Sequence, residues 1–213
     1  MIRIMHCLAP WAAVPIAPMA QPATTRLRAE PRYTTSRYFA LPAEGVLTAE
    51  DRVELFEGLI VAMAPESPRH AAGLQQASEA LSRAVGPRAV VRVQRPLVAG
   101  RYSVPVPDVA VVPGLRSDYV DTHPTTALLV IEIADSTIVQ DRITKAVIYA
   151  AAGVPEYWLV NFRDDRAEVF RGPDRSTRSY AENFIAGRGS RLELRTLPGV
   201  GVAVDELLPS GRS

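Results

Sequence analysis

Apolar residues recur at three- and four-residue spacing through SPRHAAGLQQASEALSRAVG (67–86), where Ala71, Leu74, Ala77, Ser78, Leu81 and Val85 share one side. That period predicts an amphipathic helix, which Gly86-Pro87 stops. A second helix is predicted over QDRITKAVIYAAAG (140–153), with an inner stripe of Ile143, Ala146, Val147, Ala150 and Ala151. Gly153 ends it and Pro155 prevents its resumption. Between the two helices lie three extended stretches, AVVRVQRPLVAG (89–100), VPVPDVAVVPG (104–114) and LLVIEIADST (128–137). Upstream, TAEDRVELFEG offers a Thr cap, a short helical turn and an extended segment that turns at Glu57-Gly58. Downstream, EYWLVNF and RAEVFRG read as strands joined by an Asp164-Asp165 turn, with Trp158 and Val160 alternating into the sheet. The tail, RLELRTLPGVGVAVDELLP, adds a strand or two and a short terminal turn. The fold class is α/β: helix, three strands, helix, strand, with extra N- and C-terminal strands and no internal repeat.

Two strands break their own pattern. In a strand, residues two apart share a face. Leu128, Val130, Glu132 and Ala134 therefore line one side, and Leu129, Ile131 and Ile133 the other. Asp108 shares a side with Val106, Ala110 and Val112 in the same way. Each of two neighbouring apolar strands thus holds one carboxylate, a group that burial penalises unless it is paired. If the two meet on one face, both stay ionised only with a cation between them. An oxygen-only site suits Mg²⁺, which can activate a water and stabilise charge on a phosphoryl oxygen. Asp141, Lys145 and Tyr149 follow at four-residue intervals on the polar face of the second helix. Lys145 is then either a partner of that site or half of a surface ion pair with Asp141.

Composition narrows the rest. A chain of 213 residues, 47% hydrophobic, makes one domain with a real core. With 24 Lys and Arg against 23 Asp and Glu, any polyanion site must be a local patch, and Arg88, Arg92, Arg95 and Arg101 are the candidates. The single Cys7 excludes an internal disulfide and a cysteine zinc site, and is compatible with the cytoplasm. Prolines 10, 15 and 18 interrupt the N-terminal apolar stretch, so no membrane span is expected there. Residues 1–32 are expected to lie outside the fold, as a disordered Pro- and Ala-rich extension or as translation from an upstream start. Residues 33–213 then form the domain.

RVELFEGLIVAMAPESPRH, PVPDVAVV and VIEIADSTIVQDRITKAVIYAAAGVPEYWLVN together resemble the Uma-two family of restriction-endonuclease-type proteins, in the PD-(D/E)XK nuclease superfamily. The resemblance runs from about residue 36 to the end. It implies a restriction-endonuclease-like core and Mg²⁺-dependent hydrolysis of DNA, with Mn²⁺ able to substitute. It makes Asp108 the PD acid and Glu132 the acid of the (D/E)XK element, both binding metal. The superfamily lysine would fall at Ala134, and Lys145 of DRITK takes its place from the following helix. Glu54 is a fourth member of the site that helps to hold the metal, or a capping or surface acid. His70 contacts phosphate or caps the helix, and Gln94 bonds the nucleophilic water or is a structural amide. Nucleases of this superfamily often cut duplexes as homodimers, which the resemblance extends to this chain. The second function class is a nucleic-acid-binding protein of the same fold with little or no turnover.

Overall fold

Turn chemistry and helix caps set the frame of the domain. The computed structural model describes residues 32–48, 50–134 and 141–209, within one compact unit that begins at Pro31. The expected N-terminal extension, Arg32 apart, lies outside the described residues. A short helix, α1 (Thr35–Ala40), is capped by Thr34, whose hydroxyl accepts from Arg37 N at 3.2 Å. β1 (Val53–Phe56) and β2 (Leu59–Ala62) form a hairpin. Its two turn residues, Glu57 and Gly58, have φ of 51° and 83°, the left-handed pair that matches strand twist. At Gly58 a Cβ would also lie 2.5 Å from the Arg32 side chain, so the position requires glycine.

Helix α2 (Pro68–Val85) starts with Pro68 at its first turn and Ser67 as cap. Its buried face is Gly73, Leu74, Ala77, Ala80, Leu81 and Val85. Ala71, expected on that face, is exposed. Gly73 takes the inner position because the Phe162 ring would lie 2.0 Å from any Cβ there.

The central sheet has six strands: β3 (Val90–Val93), β4 (Val109–Val112), β5 (Leu129–Ala134), β6 (Glu156–Asn161), β7 (Arg166–Asp174) and β8 (Ser179–Gly187), neighbours in that order. β5 and β6 run parallel, and the other pairs are antiparallel. The parallel pair requires a crossover. It contains a π-helical turn (Asp141–Lys145) that runs into α3 (Ala146–Ala152). A small hairpin of β9 (Arg191–Glu193) and β10 (Gly201–Ala203) leads into α4 (Val204–Leu207).

Both faces of the sheet are covered. Leu74, Leu81, Val111, Ile131, Trp158 and Val202 share the core on the α2 side. Ala110, Val112, Val130, Ala134, Tyr149 and Tyr157 share the core on the α3 side. Every residue of β5 is buried, which explains its continuous apolar run. Within β5 the alternation came out as expected, with Val130 and Ala134 facing one core and Leu129, Ile131 and Ile133 the other; Leu128, expected with Val130, precedes the strand and packs against the α2-side core instead.

Two elements have no counterpart in the sequence reading, α1 and β8. Most residues of β8 are exposed, so it has little apolar alternation to read. The second helix also turns differently from its predicted stripe. Ile143 is 62% exposed, whereas Lys145, Ile148, Tyr149 and Ala150 are buried. The wider π turn shifts the helical phase, and Lys145 and Tyr149 point inward because a buried acid meets them there. The expected ion pair with Asp141 lies outside the described side chains. Among the described residues, no helix is long and apolar enough to cross a membrane.

Candidate active site

The hairpin β1–β2, the start of α2, the ends of β3 to β5 and the turn before α3 enclose a cleft of about 230 Å³. Glu54, His70, Gln94, Asp108, Glu132 and Lys145, the six residues singled out in the sequence, all line it.

Glu132 sits inside β5 and is 3% exposed. Its Oε2 lies 2.9 Å from Lys145 Nζ, and its Oε1 accepts from the Tyr149 hydroxyl at 2.6 Å. Burial pushes its carboxyl up to about 8; Lys145 opposes that shift, and the charges of Asp108 and Glu54 add to it. Burial and the same carboxylate push the Tyr149 phenol well above its ordinary range. Glu54, on β1, accepts from Val106 N at 2.7 Å and stands 3.8 Å from Lys145 Nζ. Lys145 therefore lies between two buried acids, and is no surface cation.

Asp108 precedes β4 and ties it to β5. Its Oδ2 accepts from Ile133 N at 2.8 Å and lies 3.1 Å from His70 Nε2. The other ring nitrogen of His70 is 2.9 Å from Glu66 Oε1. The hydrogen bond to Asp108 raises His70 to about 9 against the cost of burial, with Glu66 adding to the rise. At neutral pH both ring nitrogens thus carry protons. The cap of α2 is Ser67, which accepts from His70 N at 3.1 Å, so the His70 ring does not cap the helix.

Gln94 stands at φ 45°, donates its backbone N–H to Asp108 O at 3.0 Å, and donates its amide to Glu66 Oε1 at 3.3 Å. Glu66 and Tyr149 are site residues that the sequence reading did not assign. Their signal was the four-residue spacing, Glu66 to His70 and Lys145 to Tyr149.

Glu156 shows what a purely structural buried acid looks like here. It is fully buried, pairs with Arg171 at 2.9 Å and accepts from Trp158 Nε1 at 3.3 Å. Glu132, by contrast, itself borders the cleft together with Lys145. Among the described residues, no group of three or more His, Cys, Asp or Glu is arranged to hold a metal. The donors do fit Mg²⁺ in kind, since that ion takes one or two carboxylates and keeps several waters. Asp108 and Glu132 would hold it.

Three comparisons bear on this arrangement. The Uma2 family model, described as "Putative restriction endonuclease", matches residues 35–205. A crystal structure from Anabaena variabilis, described as "a putative nuclease belonging to DUF820", matches with a TM-score of 0.66 at 17% identity. The match covers 82% of this chain and 97% of that one, and at this identity it establishes a shared fold. No curated protein matches the chain.

Proposed function

The chain belongs to the Uma2 family, and on that premise we propose that it is a metal-dependent nuclease hydrolysing phosphodiester bonds of DNA. The observation that supports this best is the meeting of Asp108, Glu132 and Lys145 at one cleft, from the segment before β4, from β5 and from the turn before α3.

Each residue has a task in that reading. A bound Mg²⁺ would polarise a phosphoryl oxygen and make a coordinated water more acidic. Asp108 and Glu132 would hold that ion. Tyr149 and Lys145 fix the two oxygens of Glu132, so the carboxylate cannot rotate. Lys145 Nζ, held between Glu132 and Glu54, supplies a fixed positive charge to the phosphoryl group. His70 Nε2 keeps a proton beside Asp108, and Glu66, which also accepts from the Gln94 amide, holds the ring in place. Hydrolysis forms a bond from water oxygen to phosphorus and breaks one phosphorus–oxygen ester bond. Cutting both strands of a duplex with one cleft per chain calls for two copies, so a homodimer is part of the proposal.

The test is nicking of a supercoiled plasmid with Mg²⁺ or Mn²⁺, wild type beside Asp108→Asn and Glu132→Gln. Cleavage lost in both variants supports the reading; cleavage unchanged in either removes that acid. One observation favours the alternative, a nucleic-acid-binding protein with little turnover. A carboxyl at about 8 is largely protonated at neutral pH and is then a poor metal ligand. Binding of DNA by wild type without nicking under any metal would establish that alternative.

A further inference from the structure

We propose that Arg92, Arg95 and His123 form a docking surface for the DNA backbone on the edge of the sheet, leading into the cleft. Its identification as a DNA surface, as distinct from one for another polyanion, rests on the nuclease reading.

The placement follows from register. β3 is an outermost strand of the six-stranded sheet. Arg92 pairs with Ala110, which faces the α3-side core. Gln94, two residues beyond Arg92, lines the cleft and bonds Asp108 O through its backbone. Arg92 therefore stands one strand repeat, about 7 Å, from the cleft wall.

Its guanidinium is already ordered. It lies 5.3 Å over the Tyr119 ring, whose hydroxyl is anchored on Pro113 O at 2.5 Å. The Nε of Arg92 is buried and has no hydrogen-bond partner among the described residues. Arg95 and His123 lie within its field: burial lowers Arg92, Tyr119 opposes this, and Arg95 adds to it. Burial and Arg92 likewise lower His123. Arg37, Arg83, Arg166, Arg171 and Arg188, by contrast, are each paired with a carboxylate. The acid that Tyr119 senses, Asp118, accepts from Leu115 N at 2.8 Å and belongs to its own turn.

Two guanidiniums that repel one another, Arg92 and Arg95, are stabilised by an anion that bridges them, and the uncharged His123 ring lies beside them. A guanidinium fixed on a ring matches phosphate oxygens. Beside them, His123 stacks on Phe39 with centroids 5.3 Å apart, and Phe39 is 40% exposed. An aromatic face next to cations is what a nucleic-acid strand can use and a simple anion cannot. Arg88, grouped with these arginines in the sequence reading, belongs elsewhere, since it bonds Pro198 O at 3.0 Å. With a net charge of +1, the whole chain attracts polyanions little, so the local cluster must supply the attraction.

The experiment is fluorescence anisotropy of a fluorescein-labelled DNA duplex in EDTA, over a series of salt concentrations. The proteins are wild type, Arg92→Ala with Arg95→Ala, Arg95→Glu alone, and Arg83→Ala as a control on the far helix. The double variant should bind at least about tenfold more weakly, with a salt slope smaller by about two, one for each lost phosphate contact. Arg95→Glu, an exposed change that does not disturb Tyr119, should weaken binding in the same direction even if the double variant folds poorly. Arg83→Ala should bind as wild type does. Equal affinity and slope in wild type, the double variant and Arg95→Glu would overturn the proposal, as would no binding by wild type at low salt. Nicking by wild type with unchanged binding in these variants would remove the surface and leave the nuclease. Binding that depends on Arg92 and Arg95, without nicking, would keep the surface and remove the nuclease.

Discussion

The Tyr149 hydroxyl lies 2.6 Å from Glu132 Oε1 with both residues buried, while Lys145, one helical turn earlier, takes Oε2 at 2.9 Å. A hydrogen bond to a buried charged group is a strong one and is expensive to remove. Tyr149→Phe deletes only the hydroxyl and keeps the ring against Tyr157, whose centroid is 5.3 Å away. The expected loss of stability is about 1–3 kcal/mol above pH 8, where Glu132 is ionised, and less at pH 6. Urea unfolding at the two pH values measures it. Equal stability of wild type and variant at both pH values would mean that Tyr149 only packs.

Metal-free protein should become less stable as pH rises from about 5 to 9. Glu132 is raised from 4.5 to about 8, so its contribution is fully present below pH 4.5 and lost as pH rises through 8. His70 is raised from 6.5 to about 9, so its contribution is present below 6.5 and lost as pH rises through 9. The two effects have the same sign. Melting temperatures in EDTA should therefore fall across this range, and Glu132→Gln should flatten the part below pH 8. A rising or level curve for wild type would contradict the protonated carboxyl.

Much of this arrangement could be read from the sequence, for identifiable reasons. Strand alternation placed Glu132 on the α3 side, because β5 is buried on both faces and a register slip would bury the wrong set; Asp108 precedes β4, and its hydrogen bonds to Ile133 N and His70 set its place instead. The order from α2 through β6 was legible from its two helical periods and its apolar runs. The orientation of Lys145 was not. Apolarity alone turns Ile143 inward, but Ile143 is exposed and Lys145 is buried, since burial there is decided by ion pairing with Glu132. Glu66 was missed because it precedes a helix on the chain and enters the site through contacts with His70 and Gln94. β8 was missed because its pairing with β7 is made by backbone, which leaves no side-chain pattern.

Divalent metal should raise the melting temperature, because it relieves repulsion among Asp108, Glu54 and Glu132. At a hundredfold excess over the dissociation constant, linkage gives about 2.7 kcal/mol, or roughly 5–11 °C for a domain of this size. Glu132→Gln should abolish most of the shift. A wild-type melting curve unmoved by millimolar Mg²⁺ and Mn²⁺ would show that these acids do not hold a metal.

Lys145 separates chemistry from folding. It is 8% exposed and holds a buried carboxylate, so Lys145→Ala is a core change. Removing one partner of a buried ion pair costs about 3–5 kcal/mol when the other stays charged. Glu132 can escape that cost by keeping its proton, so the variant should be nearly as stable as wild type at pH 6 and clearly weaker at pH 9. Its role at the phosphoryl group would be lost at either pH. Loss of a preorganised charge there lowers the cleavage rate about a hundredfold or more. Nicking of supercoiled plasmid at pH 6 to 7 with Mn²⁺, where the variant still folds, therefore reads catalysis alone. Ala134, fully buried on the same face as Tyr149, is the position from which a lysine could refill the vacated space. Ala134→Lys with Lys145→Ala should restore part of the rate. If wild type and Lys145→Ala nick equally at that pH, Lys145 holds the fold and takes no part in the reaction.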